Sequence, residues 1–176
     1  MKHSYILAAI TAAILCGAGL FILLNNKGEE EPQVFKAKTI EKIDSLHFSY
    51  STGTMINAQV SYDIECNEKC VATIKPNGVS GEDVKKVELD DAKLIEIIKL
   101  LNDNNVTKWD GFNKSDQNVL DGNSFGFSLY ANDKTIDVHA HGYMKWPDNY
   151  REVRDGLDNL FDGYFTEKEL KELRGY

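Results

Sequence analysis

From Ile6 to Leu24 the chain carries no charged side chain, and 16 of those residues are apolar. A helix crossing the hydrocarbon core of a bilayer needs about 20 mostly apolar residues. The run from Tyr5 to Leu24 is just long enough, so residues 6–24 predict a membrane contact before anything else is known. Three readings fit. An uncleaved anchor uses the whole run. A cleaved signal peptide has a shorter apolar region and a small-x-small site; Cys16-Gly17-Ala18 offers one, but Leu20 to Leu24 would leave an apolar stub behind it. A lipoprotein acylated at Cys16 would carry a small residue before the cysteine, where this chain has Leu15. The anchor fits best. Lys2 and the amino terminus on the short flank favour an N-in orientation, which places the rest of the chain outside the cytoplasm. The expected organisation is therefore an N-terminal membrane anchor or signal segment over 1–26, a polar tether over 27–39 with Gly28, Glu29, Glu30, Glu31 and Pro32, and an extracytoplasmic domain over 40–176.

The net charge of -8 sharpens once the anchor is set aside. From Lys27 onward there are 19 basic residues against 28 acidic ones. Nucleic-acid binding draws on a basic patch that neutralises phosphates, and no such patch stands out. A polybasic membrane-surface protein is disfavoured for the same reason.

Beyond Cys16, the cysteines are Cys66 and Cys70, flanked by the β-prone runs 61–65 and 71–75. Asn67-Glu68-Lys69 reads as a hairpin tip, and two cysteines facing across it suit a disulfide in an oxidising compartment. As a zinc site the pair lacks two further ligands nearby.

The remaining pattern predicts an α+β domain. Leu46, Phe48 and Tyr50 alternate with polar residues as a half-buried strand does. Ser51-Thr52-Gly53 reads as a turn, 55–64 as a long strand, 71–74 as its hairpin partner ended by Pro76-Asn77-Gly78, and 84–89 as a further strand. Asp90 or Asp91 caps a helix whose stripe is Leu94, Ile95, Ile98 and Leu101, with Ile97 beside it. Residues 106–123 read as loop. Phe125, Phe127, Leu129 and then Ile136, Val138, Ala140 give the clearest hairpin. A second helix starts at Pro147-Asp148-Asn149 and shares Val153, Leu157, Leu160 and Phe161 on one face; a short last helix covers 166–174, capped by Thr166 with Glu169 at the capping-box position. This order implies a mostly antiparallel sheet with two main helices on one face, preceded by one N-terminal transmembrane helix.

Candidate chemistry is sparse. Asp137, His139 and His141 share the polar face of one strand, and a His-x-His pair can supply two zinc ligands, with His47 as a third from a neighbouring strand. A solvated sheet face explains the same pattern. The acids Asp110, Asp116 and Asp121 do not fall in a calcium-loop register, and Asp-Gly pairs at 110–111 and 121–122 read as turns. No Gly-x-Ser-x-Gly elbow, phosphate loop or dinucleotide fingerprint occurs, which leans away from an enzyme. Tyr143, Trp146, Tyr150 and Tyr164 lie around Gly142 to Asn149. Aromatics there either plug the junction of strand and helix or present a ligand-binding surface for a protein or a glycan, with Tyr143, Trp146 and Tyr150 as the contacts.

The strings Asn118-Val119-Leu120-Asp121-Gly122 and Gly142 to Tyr150, with the alternating aromatic strand between them, resemble a set of small extracytoplasmic proteins of Gram-positive anaerobes. Many of those are lipoprotein-like and have no established activity. The likeness runs over residues 48–161 and implies an envelope location and a single α+β domain. It transfers no catalytic residue. The expectation is a membrane-anchored binding or accessory module without a cofactor. The alternatives are a zinc-dependent enzyme or metal carrier at Asp137, His139 and His141, and a structural subunit of a membrane assembly.

Overall fold

The computed structural model describes residues 37–51, 59–75 and 84–168. The first strand, β1, spans Ile43–Ser51 and is followed by β2 (Gln59–Cys66), β3 (Cys70–Lys75) and β4 (Lys85–Leu89). Helix α1 (Asp91–Asp103) leads through a 3-10 turn at Val106–Trp109 to β5 (Asn113–Ser115), β6 (Ser124–Ala131), β7 (Ile136–Tyr143) and helix α2 (Tyr150–Asp162). The strands form one seven-stranded sheet in the order β4-β3-β2-β1-β6-β7-β5. All its pairings are antiparallel except β5 on β7. The expected α+β class with a mostly antiparallel sheet and two helices is what the chain adopts.

Period-two alternation places one set of side chains under the helices. Phe48 pairs in register with Tyr62 on β2 and with Phe127 on β6, and Phe127 with Ala140 on β7. These rows join Leu46, Ile64, Leu129 and Val138 in a buried cluster that also takes Ile97 and Leu101 of α1 and Val153, Leu157 and Phe161 of α2. Burial of each large side chain of this kind contributes about 1.5–3 kcal/mol. Both helices thus cover the same face. The opposite face carries Asp63, His47, Ser128 and His139 in one cross-strand row and Ser61, Ser49, Gly126 and His141 in the next.

Several expectations needed correction. In α1 the inward residues are Ile97 and Leu101, with Leu94 and Ile98 at the margin, whereas Ile95 is 65% exposed. The expected stripe holds at Leu94, Ile98 and Leu101, with Ile97 joining it, and Ile95 alone turns outward. Its cap is Asp90, whose carboxylate accepts from the Lys93 N–H at 2.8 Å. The segment 106–123 is not all loop. Asn113–Ser115 adds the edge strand β5, whose three residues are all exposed, so no burial pattern marks them. Helix α2 begins at Tyr150, after Asn149 in the left-handed region at φ 59°.

The expected turn at 52–53, the start of the 55–64 strand, Pro76-Asn77-Gly78, the end of the last helix with Glu169, and residues 1–36 with Cys16 lie outside the described residues. Among the described residues no helix is long and apolar enough to cross a membrane.

At the β2–β3 turn, Cys66 and Cys70 are cross-strand partners, and their sulfurs are 2.08 Å apart, as a disulfide requires.

Candidate functional site

Two places gather functional side chains: the open face of the sheet and the junction of β7 with α2. The junction is built on Trp109. Its indole is buried, and Nε1 donates to the Asp148 carbonyl at 2.9 Å, which fixes the segment between strand and helix. The Trp109 ring sits edge-on to Phe127 at 5.0 Å. Phe125 packs against Tyr150 at 4.9 Å, and Tyr150 stacks on Trp146 at 4.6 Å with the planes 19° apart. Trp146 ends this aromatic column and is 38% exposed.

Trp146 and Pro147 form a ridge between two clefts. One, of about 390 Å³, is lined among others by Asn123, Asn149, Arg151 and Arg154. The other, of about 300 Å³, has Asn104, Asn105, Lys108 and Lys114 in its wall. Glu152 and Asp148 also line these clefts, one in each. Arg154 lies over the Tyr50 ring and pairs with Asp155 at 2.6 Å, and Lys114 lies over Phe112. Four cationic groups, Arg151, Arg154, Lys108 and Lys114, thus line the clefts beside Trp146, with the acids Glu152 and Asp148 among them and Arg154 already paired.

Of the aromatic residues expected to cluster, the fold unites Trp146 with Tyr150. Tyr143 instead turns its hydroxyl to the Val119 and Leu120 carbonyls, at 3.2 and 3.0 Å, and pins the 119–122 loop. Tyr164 packs on Phe161, beyond the other end of α2.

On the open face, His47, His139 and His141 all line one shallow concavity of about 500 Å³, floored at Gly126. Two of the three rings are committed to other partners. Both ring nitrogens of His139 are engaged, Nδ1 with Ser128 at 3.0 Å and Nε2 with Asp137 at 2.8 Å. His47 is engaged at both nitrogens too. A metal needs a free ring lone pair, and of the three only the His141 ring makes no hydrogen bond among the described residues. Among those residues no group of three His, Cys, Asp or Glu side chains is placed to hold a metal. The acids Asp110 and Asp116 serve the backbone, accepting from the His139 and Asn118 N–H groups.

A connection that the sequence did not suggest runs through His47. Its Nδ1 lies 2.5 Å from Asp63 Oδ1, and its Nε2 lies 3.2 Å from Ser49 Oγ. The His47 hydrogen bond holds the Asp63 carboxyl below its ordinary value, against the effect of burial. The second Asp63 oxygen is 3.4 Å from Lys75 Nζ, an ion pair too long or bent to count as a hydrogen bond. Only strand register brings these groups together, because His47 and Asp63 are exact cross-strand partners. No local motif in the sequence signals it.

No protein-family model matches this chain, and no curated protein matches it.

Proposed function

We propose that this chain is a membrane-anchored extracytoplasmic binding module that takes an acidic envelope glycan at the Trp146 ridge. The observation that carries the reading is Trp146, half-exposed and braced by Tyr150 between two polar clefts. A flat indole stacks on a sugar ring, the asparagine amides suit hydroxyl groups, and the flanking arginines and lysines suit carboxylates or phosphates. The uncharged run over residues 6–24 supports attachment to the membrane, and the polar tether at 27–39 gives the domain reach. The resemblance to small extracytoplasmic proteins of Gram-positive anaerobes agrees with this location.

The test is calorimetric titration of full-length protein in detergent with a uronic-acid oligosaccharide and with its neutral counterpart. Saturable binding to the acidic sugar, weakened about tenfold or more in Trp146→Ala, is the expected result, since loss of an aromatic stacking contact costs about 1–3 kcal/mol. Equal affinity of Trp146→Ala and wild type, or equal binding of the neutral sugar, would overturn the assignment. Retention of the native chain in carbonate-washed membranes, and its loss on deletion of residues 6–24, checks the anchor.

A further inference from the structure

The open face of the sheet is remote in role from the Trp146 ridge, and it holds a combination that a solvated surface does not need. Ser49, His47 and Asp63 are linked in the order hydroxyl, imidazole, carboxylate. Asp63 Oδ1 accepts from His47 Nδ1 at 2.5 Å, which selects the tautomer with a proton on Nδ1. That leaves the lone pair of Nε2 toward Ser49 Oγ, 3.2 Å away. This connectivity is the one by which a serine hydroxyl is activated for acyl transfer on unrelated folds, where the arrangement is recognised by geometry and not by position in the sequence.

The surroundings fit the same chemistry. His47 lines the 500 Å³ concavity, and its side chain is 44% exposed to solvent. Ser49 is 6% exposed and does not itself line the concavity, but its β6 neighbour is a glycine, so no side chain covers it from that side. Its partner there is Gly126, where an added Cβ would lie 3.1 Å from Ser49 Oγ. In the same row, on the far side of Gly126, stands His141, whose ring lines the concavity.

We propose that Ser49, His47 and Asp63 form a hydrolytic site for small carboxylic esters, with His141 as the donor to the developing oxyanion. Ser49 Oγ attacks the ester carbonyl as its proton passes to His47 Nε2. The C–O bond to the alcohol then breaks, and the leaving oxygen takes that proton. Water attacks the acyl-serine, gives its proton to His47, and the acid departs as Ser49 Oγ is reprotonated. The net change is ester plus water to acid plus alcohol. Asp63 is a positioning residue in this scheme. The acyl group accepted is expected to be small, because Ser49 is 6% exposed and lies beside a glycine on β6.

The experiment treats the full-length protein in detergent with an alkyl fluorophosphonate, in which a serine oxygen displaces fluoride, and maps the adduct by mass spectrometry. Hydrolysis of p-nitrophenyl acetate is followed in parallel. An adduct on Ser49 is expected, absent in Ser49→Ala and formed on the order of 100-fold more slowly in His47→Gln, the loss typical for a general base. Gly126→Ala crowds Ser49 Oγ and should suppress both labelling and turnover while circular dichroism stays native. Asp63→Asn should lower kcat with KM little changed. A folded wild-type protein that forms no Ser49 adduct overturns the proposal. So does labelling that is unchanged in His47→Gln or in Gly126→Ala. Sugar binding at Trp146 is measured separately, so either reading can fail alone.

Discussion

The phenol of Tyr62 donates to Asp158 Oδ1 at 2.6 Å, joining the second strand of the sheet to a helix 96 residues further along the chain. Tyr50, from the neighbouring strand, donates to the same carboxylate at 2.9 Å. Two phenols at the edge of the apolar core thus share one acceptor. Hydrogen bonds to a charged group contribute about 1.5–3 kcal/mol each. Tyr62→Phe should therefore lower the unfolding free energy by about 1–3 kcal/mol, and Asp158→Ala, which strands both hydroxyls, by roughly 3 kcal/mol or more. Urea denaturation followed by far-UV circular dichroism measures both. A neutral Asp158→Ala would show that the network adds nothing to stability.

Alkali should act through the same residues. Burial, reinforced by the Asp158 charge, pushes the Tyr50 and Tyr62 phenols well above their ordinary value of 10.0, and burial does the same for Tyr150. In the unfolded chain these groups lose their protons near pH 10, whereas in the folded chain they keep them. The folded state binds more protons there, so stability is complete below pH 10 and falls as the pH rises above it. Ultraviolet titration at 295 nm should show part of the tyrosine signal absent near pH 10 and appearing in step with loss of helical circular dichroism. Uniform ionisation of all eight tyrosines near pH 10 with the fold intact contradicts this.

Gly142 is the position where a single added methyl is predicted to do most harm. A Cβ there would lie 2.1 Å from the Lys145 carbonyl and 2.4 Å from the Phe125 ring. The backbone between β7 and α2 would have to move, taking Trp146 with it. Gly142→Ala should cost several kcal/mol, at the upper end of overpacking (about 1–3 kcal/mol or more), and broaden the Trp146 environment seen by fluorescence. Gly163→Ala, with no atom within 4 Å of the new methyl, is the control and should melt close to wild type.

The Cys66–Cys70 link closes a loop with a sequence separation of only 4. The chain-entropy contribution of so short a loop is about 2 kcal/mol. Reduction, or the double change Cys66→Ser and Cys70→Ser, should lower the unfolding midpoint while the sheet and the α1–α2 layer stay formed, as far-UV circular dichroism and amide exchange would record. Global unfolding on reduction would mean that the tip matters more than its loop length allows.

Much of the architecture was readable along the chain. The alternation in Leu46, Phe48, Tyr50 and in Phe125, Phe127, Leu129 identified β1 and β6, because one buried face forces period two. The spacing of Val153, Leu157 and Phe161 identified α2 in the same way. β5 escaped, since three exposed residues on a sheet edge carry no periodic signature. Ile95 was misplaced because α1 is broadly apolar, and only contact with the sheet chooses which side of it turns inward. At the candidate sites, sequence proximity named Trp146 and Tyr150 correctly as neighbours but added Tyr143, whose side chain leaves from the opposite side of its strand's end.

By itself, then, the sequence determined the separation of an uncharged segment at 6–24 from an acidic domain, the α+β class, the hairpins and the facing of Cys66 and Cys70 across one hairpin tip. These follow from local hydrophobic periodicity and turn chemistry, which act over a few residues. Tertiary structure alone decided the strand order, the outward turn of Ile95 on α1, the Trp109 brace beneath Trp146, and the chain of Asp63, His47 and Ser49. Each depends on the register between strands distant in sequence, and register is fixed only when the whole buried face packs at once.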